Sequence, residues 1–187
     1  MPVAKRRPGR DLARAASLTI PPAPNGHLVD EIPEPSPLPA LDLRVAQIVE
    51  ARAHPNADRL LVLRVDMGDE NRQIVAGIVG HYDPSELPGM RIVVVANLRT
   101  ALLRGEESQG MLLAAEDAEG RLGLLTAPDA KPGQLVAAAA TSPAAEITFA
   151  TFRRHDLRAD ERGVSHNGQR LEGTRLVMDR GVYGPLH

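Results

Sequence analysis

Aromatic residues are nearly missing from this sequence: there is no tryptophan, and Tyr82, Tyr183, Phe149 and Phe152 are all that 187 residues contain. A core must therefore be assembled from Val, Ile, Leu and Ala, which suits a small sheet protein and argues against base stacking on exposed rings as the main binding device. Cysteine is absent, which excludes disulfides and thiolate chemistry and leaves any metal to His and carboxylates. The six His stand singly along the chain. No run nears the roughly 18 apolar residues of a membrane span, and the start lacks the apolar core of a signal peptide. These absences predict a soluble cytoplasmic protein. The opening MPVAKRRPGRDLARAAS has the Arg- and Ala-rich look of an organelle transit peptide. Arg outnumbers Lys twenty to two throughout, however, so this stretch reads as one more instance of a general Arg bias.

A strong charge of either sign is also lacking. The net charge is -2, and no segment is a basic arm: residues 1–39 carry five basic and four acidic groups, 40–136 ten and fourteen, and 137–187 seven and six. Lys5, Arg6, Arg7 and Arg10 make a small cluster at the start. A polyanionic partner would have to be met by a local basic patch, with modest and salt-sensitive binding. Nor is there an acid-base pair, a nucleophile triad or a phosphate-cradling glycine loop, so the chain reads as no enzyme, with no cofactor and no metal.

What is present divides in three. PPAPNGHLVDEIPEPSPLP, residues 21–39, is too rich in proline to build a packed element, and residues 1–38 read as a disordered tail. The low-complexity AAAATSPAAE at 137–146 separates a middle domain, 39–136, from a C-terminal extension, 137–187, too small to hold a core alone. In the middle, 43–51 alternates apolar and polar as a half-buried strand does. Further strands read at 59–66, 72–79, 90–96, 110–115 and 121–125, with Met67-Gly68-Asp69-Glu70-Asn71 as a turn. Asp83 followed by Pro84 is a cap and first turn of a short helix. Three strands, a short helix and then further strands with interior glycines is the order of an all-β, five-stranded Greek-key barrel, the OB-fold.

Five stretches carry more than this pattern: Leu41-Asp42-Leu43-Arg44-Val45, His54-Pro55-Asn56-Ala57-Asp58-Arg59-Leu60, Arg72-Gln73-Ile74-Val75-Ala76-Gly77-Ile78, Asn97-Leu98-Arg99 and Ser108-Gln109-Gly110-Met111. In this order and spacing, the chain from 40 to about 136 resembles the tRNA-binding domain found at the C-terminus of methionyl-tRNA synthetase. The same module occurs in free-standing structure-specific tRNA-binding proteins and in the endothelial-monocyte-activating polypeptide II-like group. The resemblance implies an OB-fold without chemistry of its own that recognises the folded shape of tRNA and assists an aminoacyl-tRNA synthetase by raising the local tRNA concentration. It implies tRNA contacts from Asn56, Arg59, Asn97, Arg99, Arg104, Ser108 and Met111. Chemically, Arg99 and Arg104 can fork onto phosphates, Ser108 can donate to a phosphate or ribose hydroxyl, and Met111 offers a pliable apolar contact. Thr100 and Leu102 stand where the family has Pro and a basic residue.

Simpler roles compete. Asn56 or Asp58 would close an Asx turn, Gly77 and Gly110 would mark bends, Met111 would join the core, and Glu106 and Glu107 would be a solvated loop face. Leu102, Leu103 and Met111 also suit the alternative function of a chaperone-like module that grips polypeptide. The extension, with strand-like pieces broken by Asn167-Gly168 and Gly181, resembles the C-terminal extension of the endothelial-monocyte-activating polypeptide group. That likeness implies that it packs on the OB domain and imitates a dimer interface, giving a monomer; without it, a homodimer is the family default.

Overall fold

A computed structural model of the chain describes residues 40–136 and 144–187; the tail read at 1–38, its basic cluster and most of the break at 137–146 lie outside the described residues. The alternating segments form the strands Leu43–Ala53 (β1), Leu61–Asp66 (β2), Asn71–Ala76 (β3) and Arg91–Val95 (β4). β1, β2 and β3 make an antiparallel meander, and β4 lies on the other side of β1. A bulge between Ile48 and Glu50 interrupts the β1–β2 register and lets the long first strand bend. Between β3 and β4, Pro84–Glu86 is a single 3-10 turn. The Asp83 carboxylate accepts from the Ser85 N–H at 2.8 Å, and Glu86 reaches back to the Asp83 N–H, so both ends of the capping box are satisfied.

The polar connection after β4 is not a bare loop. Ala101–Leu103 (β5) and Glu106–Ser108 (β6) form a two-stranded hairpin. Met111–Leu112 (β7) then pairs with β4, and Ala114–Glu116 (β8) pairs with Leu122–Thr126 (β9), which itself lies beside β4. The ladder path runs β9-β4-β1-β2-β3 and stops there. The described strands are all-β, as the pattern requires, but backbone ladders do not close them into a five-stranded barrel. The turn of chain between β6 and β7 meets β3 through one backbone hydrogen bond and several side chains instead.

The extension is built from a one-turn helix, Phe149–Phe152 (α1), and the short strands Leu157–Asp160 (β10), Gly163–His166 (β11), Gln169–Arg170 (β12), Val177–Met178 (β13) and Gly184–Pro185 (β14). Thr148 caps α1 by accepting from the Thr151 N–H at 3.1 Å. β13 adds to the edge of β9, and His187 and Ala114 exchange a pair of backbone hydrogen bonds, each 3.0 Å.

Two apolar layers share the sheet. Ile48, Leu63, Val65, Ile74, Ile92, Val94 and Leu124 fill the inner one. Val45, Val93, Val95, Leu113 and Leu125 point the other way, against Phe152, Leu157, Val164, Met178, Val182 and Leu186 of the extension. β4 is therefore buried on both faces, which is why it reads as an unbroken apolar run.

A polar node fastens the extension to the domain. The Tyr82 hydroxyl donates to the Asp179 carboxylate at 2.8 Å and accepts from the Leu124 N–H at 3.1 Å, while that N–H also reaches Asp179 at 2.8 Å. Burial and the bond to Asp179 hold the Tyr82 phenol well above its ordinary pKa, so it remains a donor. Arg180 lies 3.7 Å over the Tyr82 ring, bonds the His81 carbonyl and pairs with Glu86 at 3.6 Å.

Within the extension, His155 Nδ1 and His166 Nε2 are 2.8 Å apart, and His155 Nε2 is buried without a partner among the described residues. Burial lowers the pKa of both rings. Repulsion from His166 and Arg154 adds to this at His155, and Asp156 partly offsets it at His166. Below about pH 6.5 the unfolded chain thus binds more protons than the folded one, so this contribution to stability is full above that pH and is lost as pH falls through the folded values. The urea midpoint is expected to be lower at pH 5.5 than at pH 7.5, and His155→Phe to flatten that fall; an unchanged slope in the variant would assign the acid sensitivity elsewhere.

Candidate functional site

The tetrapeptide Ser108-Gln109-Gly110-Met111 lies where the sheet lacks a ladder. Ser108 is only 4% exposed. Its hydroxyl accepts from the Val75 N–H at 3.0 Å and donates to the Gly110 carbonyl at 2.9 Å, so both of its hydrogen-bonding roles are taken. Within the chain, Ser108 satisfies a buried backbone donor of β3 that no strand reaches. Gln109 completes the join, its N–H donating to the Gln73 carbonyl at 2.8 Å and its side-chain oxygen accepting from the Gln73 N–H at 3.1 Å. Gly110, at φ 144°, brings the chain so close to β4 that a Cβ would lie 3.0 Å from the Val95 carbonyl oxygen.

The same seam holds the hairpin. Gln73 Nε2 donates to Glu106 at 3.0 Å and to the Glu107 carbonyl at 2.9 Å, and Arg52 pairs with Glu106 at 3.1 Å. The Arg52 hydrogen bond keeps the Glu106 carboxyl below its ordinary pKa. Glu106 is thus a tie rather than a free loop face. From the other side, the buried His54 bonds the Leu103 carbonyl through Nε2 at 2.9 Å and accepts from the Asn56 N–H through Nδ1 at 3.0 Å. The 54–60 turn is closed by the His54 N–H donating to the Leu60 carbonyl at 3.1 Å, with the imidazole, rather than an Asx side chain, bonding its interior. Asn56 Nδ2 reaches across to the Arg104 carbonyl at 3.3 Å.

Arg104 and Gly105 are the two residues of the hairpin turn, with φ of 52° and 100°. This positive-φ pair matches the twist of the strands and is ordinarily filled by Asn-Gly. The chain uses that filling at the β11–β12 hairpin, where Asn167 and Gly168 have φ of 49° and 79°. An arginine in the left-handed region costs about 1–2 kcal/mol, and its exposed guanidinium has no hydrogen bond or ion pair among the described residues. Arg59 and Arg64 are exposed in the same way. Arg64 lines a shallow cleft of about 450 Å³ over β1–β3, together with Glu50, Arg52, Arg72 and Gln73.

Two other expected contacts serve the chain itself, one fully and one weakly. Asn97 donates to the carbonyls of Ala40 at 2.9 Å and Ala145 at 2.8 Å, and accepts from the Asp42 N–H at 3.0 Å. It ties the entry of β1 to the segment leading into the extension. Arg99 pairs with Glu146 at 2.9 Å, both side chains being more than half exposed, and such a pair is weak enough for a phosphate to displace.

Met111 is half-buried. It packs on the outer apolar layer and also lines a cleft of about 600 Å³ between the hairpin and the extension. Arg59, Arg99, Leu103 and Phe149 line that cleft as well. His54, Gln73, Gln109 and Phe149 are not singled out from the sequence as site residues. The first three stand in matched stretches, but the groups they tie lie tens of positions away; Phe149 lies beyond those stretches.

Residues 43–134 match the family described as "Putative tRNA binding domain". Methionine--tRNA ligase of Thermococcus kodakarensis is 60% identical over 85 residues, covering 46% of this chain and 11% of that protein; the chain spans only about a tenth of the length of this curated relative. A MetRS-related protein from Pyrococcus horikoshii is 35% identical, with 51% of this chain and 89% of that chain covered and a TM-score of 0.49. The C-terminal domain of Plasmodium vivax p43 is 22% identical with a TM-score of 0.61, covering 79% of this chain and 96% of that one. That likeness shows a shared fold which continues beyond the family match into the extension.

Ser108→Ala strips the buried Val75 N–H of its acceptor, and a loss of about 1–3 kcal/mol in unfolding free energy is expected. Urea denaturation measures this directly. A variant as stable as the parent would mean that Ser108 does not carry the seam.

Proposed function

The chain belongs to the tRNA-binding domain family through residues 43–134, and from that premise we propose that the protein is a non-catalytic binder of folded tRNA that assists an aminoacyl-tRNA synthetase. The observation that carries the reading is Arg104, an unpaired cation at a turn position where asparagine is the unstrained choice. Strain of this kind persists where the side chain has work to do. Arg59 and Arg64 add exposed guanidinium groups, and Arg99 becomes available once it leaves Glu146.

Shape rather than sequence is the recognised feature. Amides that could read base edges are engaged within the protein: Asn97 on three backbone groups, the Gln73 amide on the hairpin, the Gln109 oxygen on the Gln73 N–H, Asn56 on the Arg104 carbonyl. Guanidinium groups on phosphates position an RNA without reading it. On a nearly neutral protein, a few such contacts give modest affinity, and holding tRNA near a synthetase then acts through effective concentration. The outer sheet face is covered by the extension, which supports a single chain in solution. Leu102, 71% exposed beside Arg104, favours the second reading, capture of polypeptide.

Arg104→Ala is expected to weaken all tRNAs about equally and to reduce the slope of log affinity against log salt by about 1. Arg104→Asn is expected to do the same while raising stability by about 0.5–1 kcal/mol, since the strained turn is relieved. If an unstructured RNA of equal length competes as well as folded tRNA, shape recognition is wrong; retention of unfolded polypeptide without any RNA would establish the second reading. Light scattering in dilute solution is expected to give the mass of one chain, and a mass of two chains would refute the monomer.

A further inference from the structure

The cleft between hairpin and extension combines two surfaces that rarely occur together on this aromatic-poor chain. Its walls include Val75, Leu103 and Met111; its exposed cations are Arg59 and Arg99, the latter held by Glu146 until displaced, and Glu116 also lines it. Across from the sheet stands Phe149, 54% exposed. Its ring is stacked at 6.2 Å and 21° on Phe152, which is 3% exposed and fixed in the outer apolar layer. Phe149 is thus a braced ring with part of its surface open to solvent.

We propose that this cleft seats one unstacked nucleobase of the bound RNA, laid on Phe149 and against Leu103 and Met111, with the flanking phosphates on Arg59 and Arg99. The inference rests on the RNA-binding reading above. Charge decides the occupant: an apolar side chain of a polypeptide would use the walls but give the two guanidinium groups nothing to bind, whereas a nucleotide uses both. Stacking on an aromatic ring is tolerant of base identity, so the seat selects an extruded base rather than a sequence.

The test uses the full chain and two RNA hairpins that differ only by one bulged 2-aminopurine. The bulged hairpin is expected to bind about tenfold more tightly, within the range stacking supplies, with its fluorescence quenched on binding. Phe149→Leu, which keeps apolar area but removes the ring, is expected to bring the bulged hairpin down to the affinity of the paired one; Phe149→Tyr is expected to retain the preference. Equal affinities for the parent chain, or a preference that survives Phe149→Leu, would overturn the base seat while leaving RNA binding intact. Binding of neither hairpin nor folded tRNA would instead overturn the underlying reading. If the parent binds no RNA but retains a reduced, alkylated polypeptide, and Met111→Gln abolishes that retention, the cleft is a peptide site and the proposal fails.

Discussion

A serine hydroxyl and two interlocked glutamines stand where a backbone ladder would otherwise close the sheet. Ser108 satisfies β3 at Val75, Gln109 and Gln73 exchange hydrogen bonds, and Gly110 lets the chain press against β4. Everything at the rim hangs from this seam. The hairpin that carries Arg104 is held through Gln73 and Glu106, and Leu103 forms one wall of the cleft only because β6 is anchored at its end by Ser108. A side-chain closure suits this position, because a full ladder between β3 and β6 would flatten the hairpin into the sheet. Three side chains and one backbone hydrogen bond fix it while leaving it projecting.

The second constraint is the double burial of β4. Ile92 and Val94 belong to the inner layer, Val93 and Val95 to the outer one, so the strand is the shared wall of two cores. The extension has too few apolar residues to hold a core of its own, but it completes one already half built by the sheet. The Tyr82–Asp179 node fixes its docking angle through hydrogen bonds with defined geometry, which the apolar contacts alone would not do.

How much of this was legible in the sequence follows from where each signal resides. β1 to β4 could be read to within about three residues because burial imposes alternation or unbroken apolar runs along the chain itself. The hairpin β5–β6 was not legible. Ala101 to Leu103 are exposed on both faces, so no periodicity marks them, and the turn carries Arg-Gly in place of the informative Asn-Gly. At the site, exposed cations such as Arg59 and Arg104 could be picked out by chemistry. The direction of a side chain could not: Ser108 and Asn97 have the right groups for an RNA contact, yet spend them on carbonyls and N–H groups whose nearness only the folded chain creates. Phe149 was the opposite case, an aromatic that composition alone made easy to overlook.

The backbone pairing of His187 with Ala114 has a practical consequence. His187 also borders the cleft that holds Leu103, Met111 and Phe149, so anything joined after residue 187, whether a natural continuation or an appended purification tag, leaves the surface at that opening. A polyhistidine tail there would bring imidazoles and a flexible strand to the cleft, crowding it and offering an RNA extra cationic groups at mildly acid pH. Work on ligands of this protein therefore calls for material with nothing attached at that end.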